Sequence, residues 1–295
     1  MVTSSKLRDR LASGFILALL GLAALLCMAP IVNTAAISLS DKAAAAAGWV
    51  YFWPVDPTWS SYRTLLSDGQ FFASFGISIQ RVLLGGAINF VLTVLTAYPL
   101  SKETKAFRMR NAIMWFVVFT MLFQGGLIPW YMVIQKLGLM DSIWALVLPG
   151  AVPIFNVILL MNFFRSLPKE LEEAGVMDGA GPWYMLVRIF LPVSLPALAT
   201  VTLFTIVGHW NSFFDGLILI NSPEKLPLQT YIQTLVVEMS NLNLMNPEDI
   251  QRMEEISNRT MNAAKIVVAM IPILLVYPFL QRYFIHGIVM GSVKE

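Results

Sequence analysis

Long stretches without a single charged residue are the feature that most constrains the fold of this chain. Lys, Arg, Asp and Glu are absent from residues 11–40, 82–101, 111–135, 142–164 and 189–214. A helix needs about 20 apolar residues to cross the hydrocarbon core of a bilayer, and each of these stretches reaches that length. A sixth apolar stretch, residues 266–281, becomes long enough if its helix begins near Thr260 and Lys265 extends its ammonium group outward.

We therefore predict an all-α integral membrane protein in which residues 1–295 form a single transmembrane domain. The six predicted spans are residues 12–39, 72–100, 111–133, 143–164, 190–211 and 261–284. Composition supports this prediction, because 57% of the residues are hydrophobic and only 13% are charged, against about a quarter in soluble domains. The net charge of +2 provides no basic surface suited to nucleic acid.

The distribution of basic residues orients the predicted spans. Two clusters lie directly beside spans, Lys6/Arg8/Arg10 before the first and Lys102/Lys105/Arg108/Arg110 after the second. Because Lys and Arg are enriched in cytoplasmic loops, both termini and the loop 165–189 are predicted in the cytoplasm, and the polar segment 212–260 on the outer side. A cleaved signal peptide is the alternative for the first span, and it would leave five spans in the opposite orientation.

The cytoplasmic loop 165–189 has the signals of a short helix lying across the mouth of the bundle. Ser166 suits the helix cap and Pro168 the first turn, and acidic residues follow where the helix dipole favours them. Ala174, Gly175 and Gly179 keep one side of this helix thin. The helix is either a surface that another protein approaches closely or an ordinary amphipathic connector.

The spacing within this loop resembles the EAA loop of the permeases of binding-protein-dependent ABC importers. That family's pattern is Glu-Ala-Ala, three residues, Gly, nine residues and then Ile-x-Leu-Pro. Here the matching residues, at the same spacings, are Glu173, Ala174, Gly175, Gly179, Ile189, Leu191 and Pro192. The departure is Gly175 in place of the second alanine, a change between small residues that preserves a narrow docking surface.

The resemblance covers most of the chain and extends to the carbohydrate branch of the family. Segments similar to that branch are residues 97–101, 137–142, 178–180, 210–211 and 281–284, with Gly287, Gly291, Val293 and Lys294. Residues 210–216 and 277–284 resemble the subgroup that imports complex oligosaccharides and polysaccharides, alginate among them. The resemblance therefore implies a sugar importer, with an ABC permease for a non-sugar solute as an alternative.

The family implies a subunit that works only with partners in the bacterial cytoplasmic membrane. These are a second permease that forms a heterodimer with this one, two ATP-binding subunits that hold Mg-ATP, an extracytoplasmic solute-binding protein and an oligosaccharide substrate, in a lipid bilayer. Residues 168–180 would form the coupling helix between helices four and five, seated on an ATPase subunit. The resemblance assigns this contact to Glu172, Glu173, Ala174, Gly175, Asp178 and Gly179.

The sequence favours neither an enzyme nor a metal site. It lacks the G-x-x-x-x-G-K-[ST] phosphate loop and the H-E-x-x-H motif, and its two histidines lie in different segments. We therefore expect no catalytic residue, no metal and no cofactor bound by this chain. An ion-coupled secondary transporter is the main alternative, but it usually needs ionisable groups in mid-span, and Arg81, His209 and Lys265 lie near span ends.

Polar residues within spans are candidates for a solute path, because they are costly unless they face a cavity or a partner helix. The candidates are His209, Trp210, Asn211 and Asp215 at the outer end of helix five, and Gln124 and Asn156 in helices three and four. Helix–helix hydrogen bonding is the alternative for Gln124 and Asn156, and interfacial anchoring for Trp210. An acidic sugar would be better matched by Arg81, Lys265 or a protonated His209 than by Asp215.

Two outer segments carry further expectations. Residues 212–260 are long for a connector, so we expect them to contact the solute-binding protein, with a solvated acidic loop as the alternative. Residues 41–70 are rich in aromatic side chains, which fit an interfacial aromatic belt or, alternatively, sugar stacking. These side chains are Trp49, Tyr51, Phe52, Trp53, Trp59 and Tyr62.

Overall fold

Helices joined by turns and loops make up residues 3–242 and 259–292, the part that the computed structural model describes, and no strand occurs within those ranges. The first helices are α1 (Thr3–Ser38), α2 (Lys42–Ala46), α3 (Ser60–Leu66), α4 (Gly69–Ser101), α5 (Arg110–Leu122), α6 (Leu127–Lys136), α7 (Ile143–Val147) and α8 (Ile154–Ser166). They are followed by α9 (Lys169–Met177), α10 (Pro182–Tyr184), α11 (Leu191–Val193), α12 (Leu195–Asn211), α13 (Phe214–Leu219), α14 (Leu228–Leu242) and α15 (Arg259–Ser292). A π-helical stretch, Met185–Phe190, joins α10 to α11. The all-α prediction is confirmed.

Three of these helices are long and apolar enough to cross a membrane as single rods, over Ala12–Ser38, Gly69–Ser101 and Arg259–Pro278. Three pairs of helices pass the same test only together, and each pair is bent at a short break. The bend is 112° between α5 and α6, 44° between Ile143–Gly150 and α8, and 84° between Pro182–Val193 and α12. Six spans result if each bent pair is one span.

The breaks coincide with residues that end or bend helices. Gly126, between α5 and α6, has a φ of 86°, which glycine adopts far more readily than other residues. Pro153 directly precedes α8, and its missing N–H prevents a continuous helix through this point. Pro192 and Pro196 flank Ser194, where α11 ends and α12 begins. The predicted spans 111–133, 143–164 and 190–211 are therefore interrupted rather than straight.

The chain divides into two compact units, of which one comprises residues 72–233 and 271–295. Its core packs one face of α4 against faces of α8 and α12 and against the π-helical stretch. Buried residues recur three and four positions apart, which is the period of a helix face. They include Val94, Ala97 and Tyr98 on α4, Val157, Leu160, Met161 and Phe164 on α8, and Ala197, Leu198 and Val201 on α12.

The other unit comprises residues 1–71 and 234–270, of which 243–258 lie outside the described residues. Most of the acidic part of the predicted outer segment 212–260 falls within 243–258. A small core joins the end of α1 to α2 and to the first turns of α15, through Ala36, Ile37, Ala44, Ala45, Val50 and Ala263. Lys265 is buried, and its Nζ lies 2.6 Å from Oδ2 of Asp68, so its charge is matched within the chain.

Candidate functional site

The unit formed by residues 72–233 and 271–295 contains a cavity of about 480 Å³, lined by residues of α4, α6, α7, α8, α12 and α13 and of the short segments beside them. Its polar lining residues are Arg81, Asn89, Asn156, Thr205, His209, Ser212 and Asp215, and its aromatic ones are Trp130 and Phe204. Three of the residues predicted for a solute path therefore meet here: Asn156, His209 and Asp215. The cavity is the candidate solute site of this chain.

Arg81 and Asp215 form a buried ion pair in the cavity wall, with side chains that are 3% and 18% exposed. Nη2 of Arg81 donates to Oδ2 of Asp215, and Nη1 donates to Oδ1 at 3.1 Å. Two parallel bonds of this kind are the geometry in which a guanidinium holds a carboxylate most firmly. The charge of Arg81, which the sequence suggested for an acidic solute, is therefore matched within the chain.

Both partners of this pair are fixed by further bonds. Oδ1 of Asp215 accepts from Oγ of Ser212 at 2.9 Å and from the backbone N–H of Gly216 at 3.0 Å, at the start of α13. Arg81 also donates to the carbonyl oxygens of Ser212 at 3.3 Å and Leu146 at 3.5 Å. The pair thus ties α4 to α7 and α13, while Nε of Arg81 has no hydrogen-bond partner within the described part of the chain.

His209 reaches the cavity because α4 leaves room for its ring. A Cβ atom on Gly85 would lie 2.5 Å from Nε2 of His209, so a larger residue there would displace the imidazole. The Asn89 amide is satisfied when its nitrogen donates to the carbonyl oxygens of Gly85 and Ala151, at 3.0 and 3.2 Å, and its oxygen accepts from Nε2 of His209 at 3.2 Å. In this arrangement Nε2 of His209 is the donor to Asn89.

Asn156 serves the packing of two helices as well as the cavity wall. Its Nδ2 donates to the carbonyl oxygen of Val201 at 3.3 Å and to Oγ1 of Thr205 at 3.1 Å, both on α12. The helix–helix alternative considered from the sequence therefore describes its contacts, although its position also lines the cavity.

The remaining predicted path residues lie outside the cavity lining. Trp210 is buried, with its ring 5.6 Å from that of Phe75 in an edge-to-face arrangement. Asn211 is exposed, and Gln124 is exposed at the break between α5 and α6. Asn89 was not among the residues predicted from the sequence, although Arg81 and Asn89 lie eight residues apart, a spacing that places them on one helix face.

The loop 165–189 contains the short helix that the sequence predicted, α9, which ends before Asp178 and Gly179. Glu173 and Ala174 are exposed, and Met177 is 87% exposed, so this side of α9 faces away from its own chain. Gly175 faces the opposite way. A Cβ atom there would collide with Sδ of Met185 and lie 3.0 Å from Cδ1 of Ile189. The thin side at Gly175 thus serves packing within the chain.

Lys102 fastens α9 to the end of α4. Its Nζ lies 2.8 Å from Oε1 of Glu172 on α9. The same ammonium sits over two aromatic rings, 4.5 Å from the centroid of Tyr98 and 4.1 Å from that of Phe190. Cation–π contacts of this kind are strongest when water is largely excluded, and the Lys102 side chain is only 14% exposed. One cation therefore joins α4, α9 and the π-helical stretch.

Substitutions at the two glycines of this loop are expected to act differently. Gly175→Leu would force either α9 away or the side chains of Met185 and Ile189 aside, whereas nothing lies within 4 Å of a Cβ atom on Gly179. Gly179 has a φ of 74°, so Gly179→Ala costs only the strain of a left-handed residue, about 1 kcal/mol. Limited proteolysis of the loop should therefore accelerate strongly in Gly175→Leu and slightly in Gly179→Ala. Equal protection in both variants would contradict the packing seen at Gly175.

A second charged cluster lies between α6 and α7, around Asp141. Its Oδ1 accepts from the backbone N–H groups of Asn221 at 3.0 Å and Ser222 at 2.9 Å, and its Oδ2 accepts from Nζ of Lys225 at 2.7 Å. These bonds, led by those from Lys225 and Ser222, hold the pKa of Asp141 well below its usual range. The cluster pins the segment that precedes α14.

The contribution of the Asp141 cluster to the free energy of unfolding is expected to fall at low pH. Because the pKa of Asp141 is lower in the folded chain than in the unfolded one, the contribution is complete above about pH 4 and is lost as pH falls further. Asp141→Asn keeps a residue that tolerates its φ of 57° but removes the charge. Hydrogen exchange at Asn221 and Ser222 should be faster in this variant at pH 7. Unchanged exchange would show that the carboxylate does not hold the segment.

The family to which this chain belongs is identified by its similarity to known proteins. Residues 2–290 match the family described as "Binding-protein-dependent transport system inner membrane component". The chain therefore belongs to this family, the permease subunits of ABC importers, and is a multi-pass membrane protein.

Two relatives and one solved structure are similar to this chain over most of its length. The chain is 37% identical over 293 residues to the polygalacturonan/rhamnogalacturonan transport system permease protein YtcP of Bacillus subtilis (strain 168), covering 98% of this chain and 99% of that one. It is 40% identical over 265 residues to protein LplC of the same organism, covering 90% and 88% of the two chains. It also resembles a chain in the crystal structure of a bacterial ABC transporter involved in the import of the acidic polysaccharide alginate. That likeness has 34% identity and a TM-score of 0.83, over 94% of this chain and 98% of the other.

Proposed function

We propose that this chain is the permease subunit of an ATP-driven importer for oligosaccharides or polysaccharides, with acidic sugars such as oligogalacturonides and alginate as the first candidates. The observation that carries the proposal is the full-length similarity to a permease named for polygalacturonan and rhamnogalacturonan transport. Likeness to a chain of an alginate importer supports the same class of substrate. A permease for a non-sugar solute and an ion-coupled transporter are the alternatives.

The cavity lined by Arg81 and His209 is our candidate for this chain's share of the solute path. A sugar needs hydrogen-bonding groups beside an aromatic or apolar wall, and the cavity offers both. Asn89, Thr205 and His209 contribute hydrogen-bonding side chains to this lining. Because Asp215 matches the charge of Arg81, this lining suits sugar hydroxyls, and the second permease would supply cations for carboxylates.

The loop helix α9 is our candidate for the contact with an ATPase subunit. Its outward side presents Glu173, Ala174 and the exposed Met177, which can enter a groove on another protein. With the termini in the cytoplasm, as the basic residues indicate, α9 lies on the side where ATP is available. Mg-ATP would bind only to the two ATPase subunits, whose closure would displace α9 and switch the cavity between inward and outward access.

Lys102 offers a route by which displacement of α9 reaches the cavity. It follows the last residue of α4 and holds Glu172 of α9. The cavity residues Arg81 and Asn89 lie on the same continuous helix α4. Because α4 is continuous, a shift of α9 through Lys102 would alter the wall that contains the Arg81–Asp215 pair.

The test is transport by the reconstituted importer. The chain would be purified with its partners, placed in proteoliposomes with the solute-binding protein, and offered oligogalacturonides, alginate oligosaccharides, neutral maltodextrins and amino acids. ATP-dependent uptake of acidic oligosaccharides is the expected result. Uptake of amino acids alone would favour the non-sugar alternative, and uptake driven by a proton gradient with this chain alone would establish an ion-coupled transporter.

A further inference from the structure

Hydrogen bonds that involve backbone groups fix the conformation of the loop between α1 and α3. The N–H of Asp41 donates to the carbonyl oxygen of Val55 at 3.1 Å, and the N–H of Val55 donates to Oγ of Ser40 at 3.0 Å. The N–H of Thr58 donates to the carbonyl oxygen of Leu39 at 2.8 Å. Val50 is buried in the small core formed with α1, α2 and α15. The loop is therefore a fixed platform.

This platform turns its aromatic side chains outward. We call residues 48–59 the aromatic loop, and its exposed aromatic residues are Trp49, Tyr51, Phe52, Trp53 and Trp59. Their side chains are between 56% and 83% exposed, with Trp53 the most exposed. A fixed cluster of large exposed aromatic side chains indicates a surface that is covered in the working protein.

The depth of the aromatic loop follows from its contact with α1. Nδ2 of Asn33 donates to the carbonyl oxygens of Val50 at 3.2 Å and Tyr51 at 2.6 Å, so the loop folds back along α1 to the level of Asn33. Counted from Ala12 at about 1.5 Å per residue, a hydrocarbon core of about 30 Å ends near residue 32. A tilt of about 20° moves this point by only about one residue. Val50 and Tyr51 therefore lie at the bilayer interface.

We propose that the aromatic loop is a membrane anchor, inserted among the lipid headgroups where α1 leaves the bilayer. Tyr and Trp favour this depth because they combine an apolar ring with a polar edge. A sugar-stacking site would also need polar side chains converging beside the rings. The nearby Asn33, Ser40 and Asp41 are instead engaged in holding the loop and α2. This anchor fixes the depth of the outer end of α1 in the bilayer, independently of the solute that the protein carries.

Spin labels on the full chain in proteoliposomes test the depth directly. In a Cys27→Ser background, Tyr51→Cys and Trp53→Cys would each carry a nitroxide. Collision with lipid-soluble oxygen and with a water-soluble nickel complex would then be measured. The unsubstituted chain, labelled at Cys27 on α1, serves as the hydrocarbon reference. Glu103→Cys in the Cys27→Ser background, in an exposed polar loop, serves as the water reference. Positions 51 and 53 should lose nickel accessibility relative to 103 and remain shallower than 27.

Two results of this accessibility measurement would overturn the anchor. One is nickel accessibility at positions 51 and 53 equal to that at 103. The other is protection that develops only on addition of the solute-binding protein or of an oligosaccharide, which would assign the surface to that partner. As a second variant, Trp49→Ser with Trp53→Ser should shift a label at Phe52→Cys toward water, because two inserted rings are lost. An unchanged label in that variant would likewise contradict the anchor.

Discussion

Replacement of Asp215 by asparagine is expected to destabilise the protein by about 3–5 kcal/mol, because it leaves the Arg81 guanidinium buried without its counter-charge. Asparagine keeps the shape of the side chain and an oxygen that can still accept from Ser212 and Gly216, so the loss reports the missing charge together with the bond that Nη2 of Arg81 donates to Oδ2. The midpoint of thermal unfolding in detergent, followed by loss of monodisperse protein, should fall by several degrees. Transport should fall with it, because the wall of the cavity is built on this pair.

Two further variants separate the buried pair from general effects of charge. Arg81→Gln combined with Asp215→Asn removes both charges and keeps hydrogen-bonding groups, so most of the stability should return. Glu103→Ala breaks the ion pair with Lys169, in which both side chains are exposed, and should leave the unfolding midpoint almost unchanged. A double variant as unstable as Asp215→Asn would show that the unpaired charge is not the cause.

Hydropathy predicted where the helices lie but not where they break. Uncharged stretches identify apolar segments, and averaging over such a stretch conceals a single residue that ends a helix. Gly126 and Pro153 are visible in the sequence, yet membrane helices often contain both residue types without breaking. Whether a helix stops at such a residue depends on what packs beside it, and that is decided by tertiary contacts.

The cavity was only partly predictable for a related reason. His209 and Asp215 were found because polar residues in an apolar stretch are costly, and Asn89 could have been found by the same reasoning. The pairing of Arg81 with Asp215 joins residues 134 positions apart, and no local pattern predicts such a contact. Without it, Arg81 suggested a free cation for an acidic sugar, whereas the structure places its charge in an internal ion pair.

The roles of the small residues in the loop 165–189 likewise depend on tertiary contacts that a local pattern does not predict. Ser166, Pro168 and the acidic residues that follow predicted a short helix there, and α9 is present. The predicted cap was wrong, because Pro168 is the N-cap of α9, whereas Ser166 ends α8 and its Oγ donates to the carbonyl oxygen of Phe163. The small residues were read as one thin side, but Gly175 packs against Met185 and Gly179 adopts a left-handed backbone. Small size alone does not distinguish contact with another protein from contact within the chain.

Lys102→Met is expected to uncouple transport from ATP hydrolysis while leaving the protein assembled in the membrane. Methionine fills the space between Tyr98 and Phe190 but removes the charge that holds Glu172 and both aromatic faces. Solute transported per ATP hydrolysed should fall by about tenfold, since coupling free energies of about 1–3 kcal/mol correspond to roughly 5–150-fold. Both rates would be measured in proteoliposomes with the loaded solute-binding protein.

The aromatic rings favour a cation over an anion at position 102. Variants that differ in this charge therefore provide the most informative controls. Lys102→Arg keeps a cation over the rings and should retain most coupling. Lys102→Glu combined with Glu172→Lys keeps an ion pair but places a carboxylate against the negative faces of Tyr98 and Phe190, so it should not restore coupling. Lys105→Met, a change at an exposed lysine of the same loop, should couple normally. If the charge swap restored coupling, or if Lys105→Met lost as much coupling as Lys102→Met, the Lys102 ammonium would not be the link between α9 and α4.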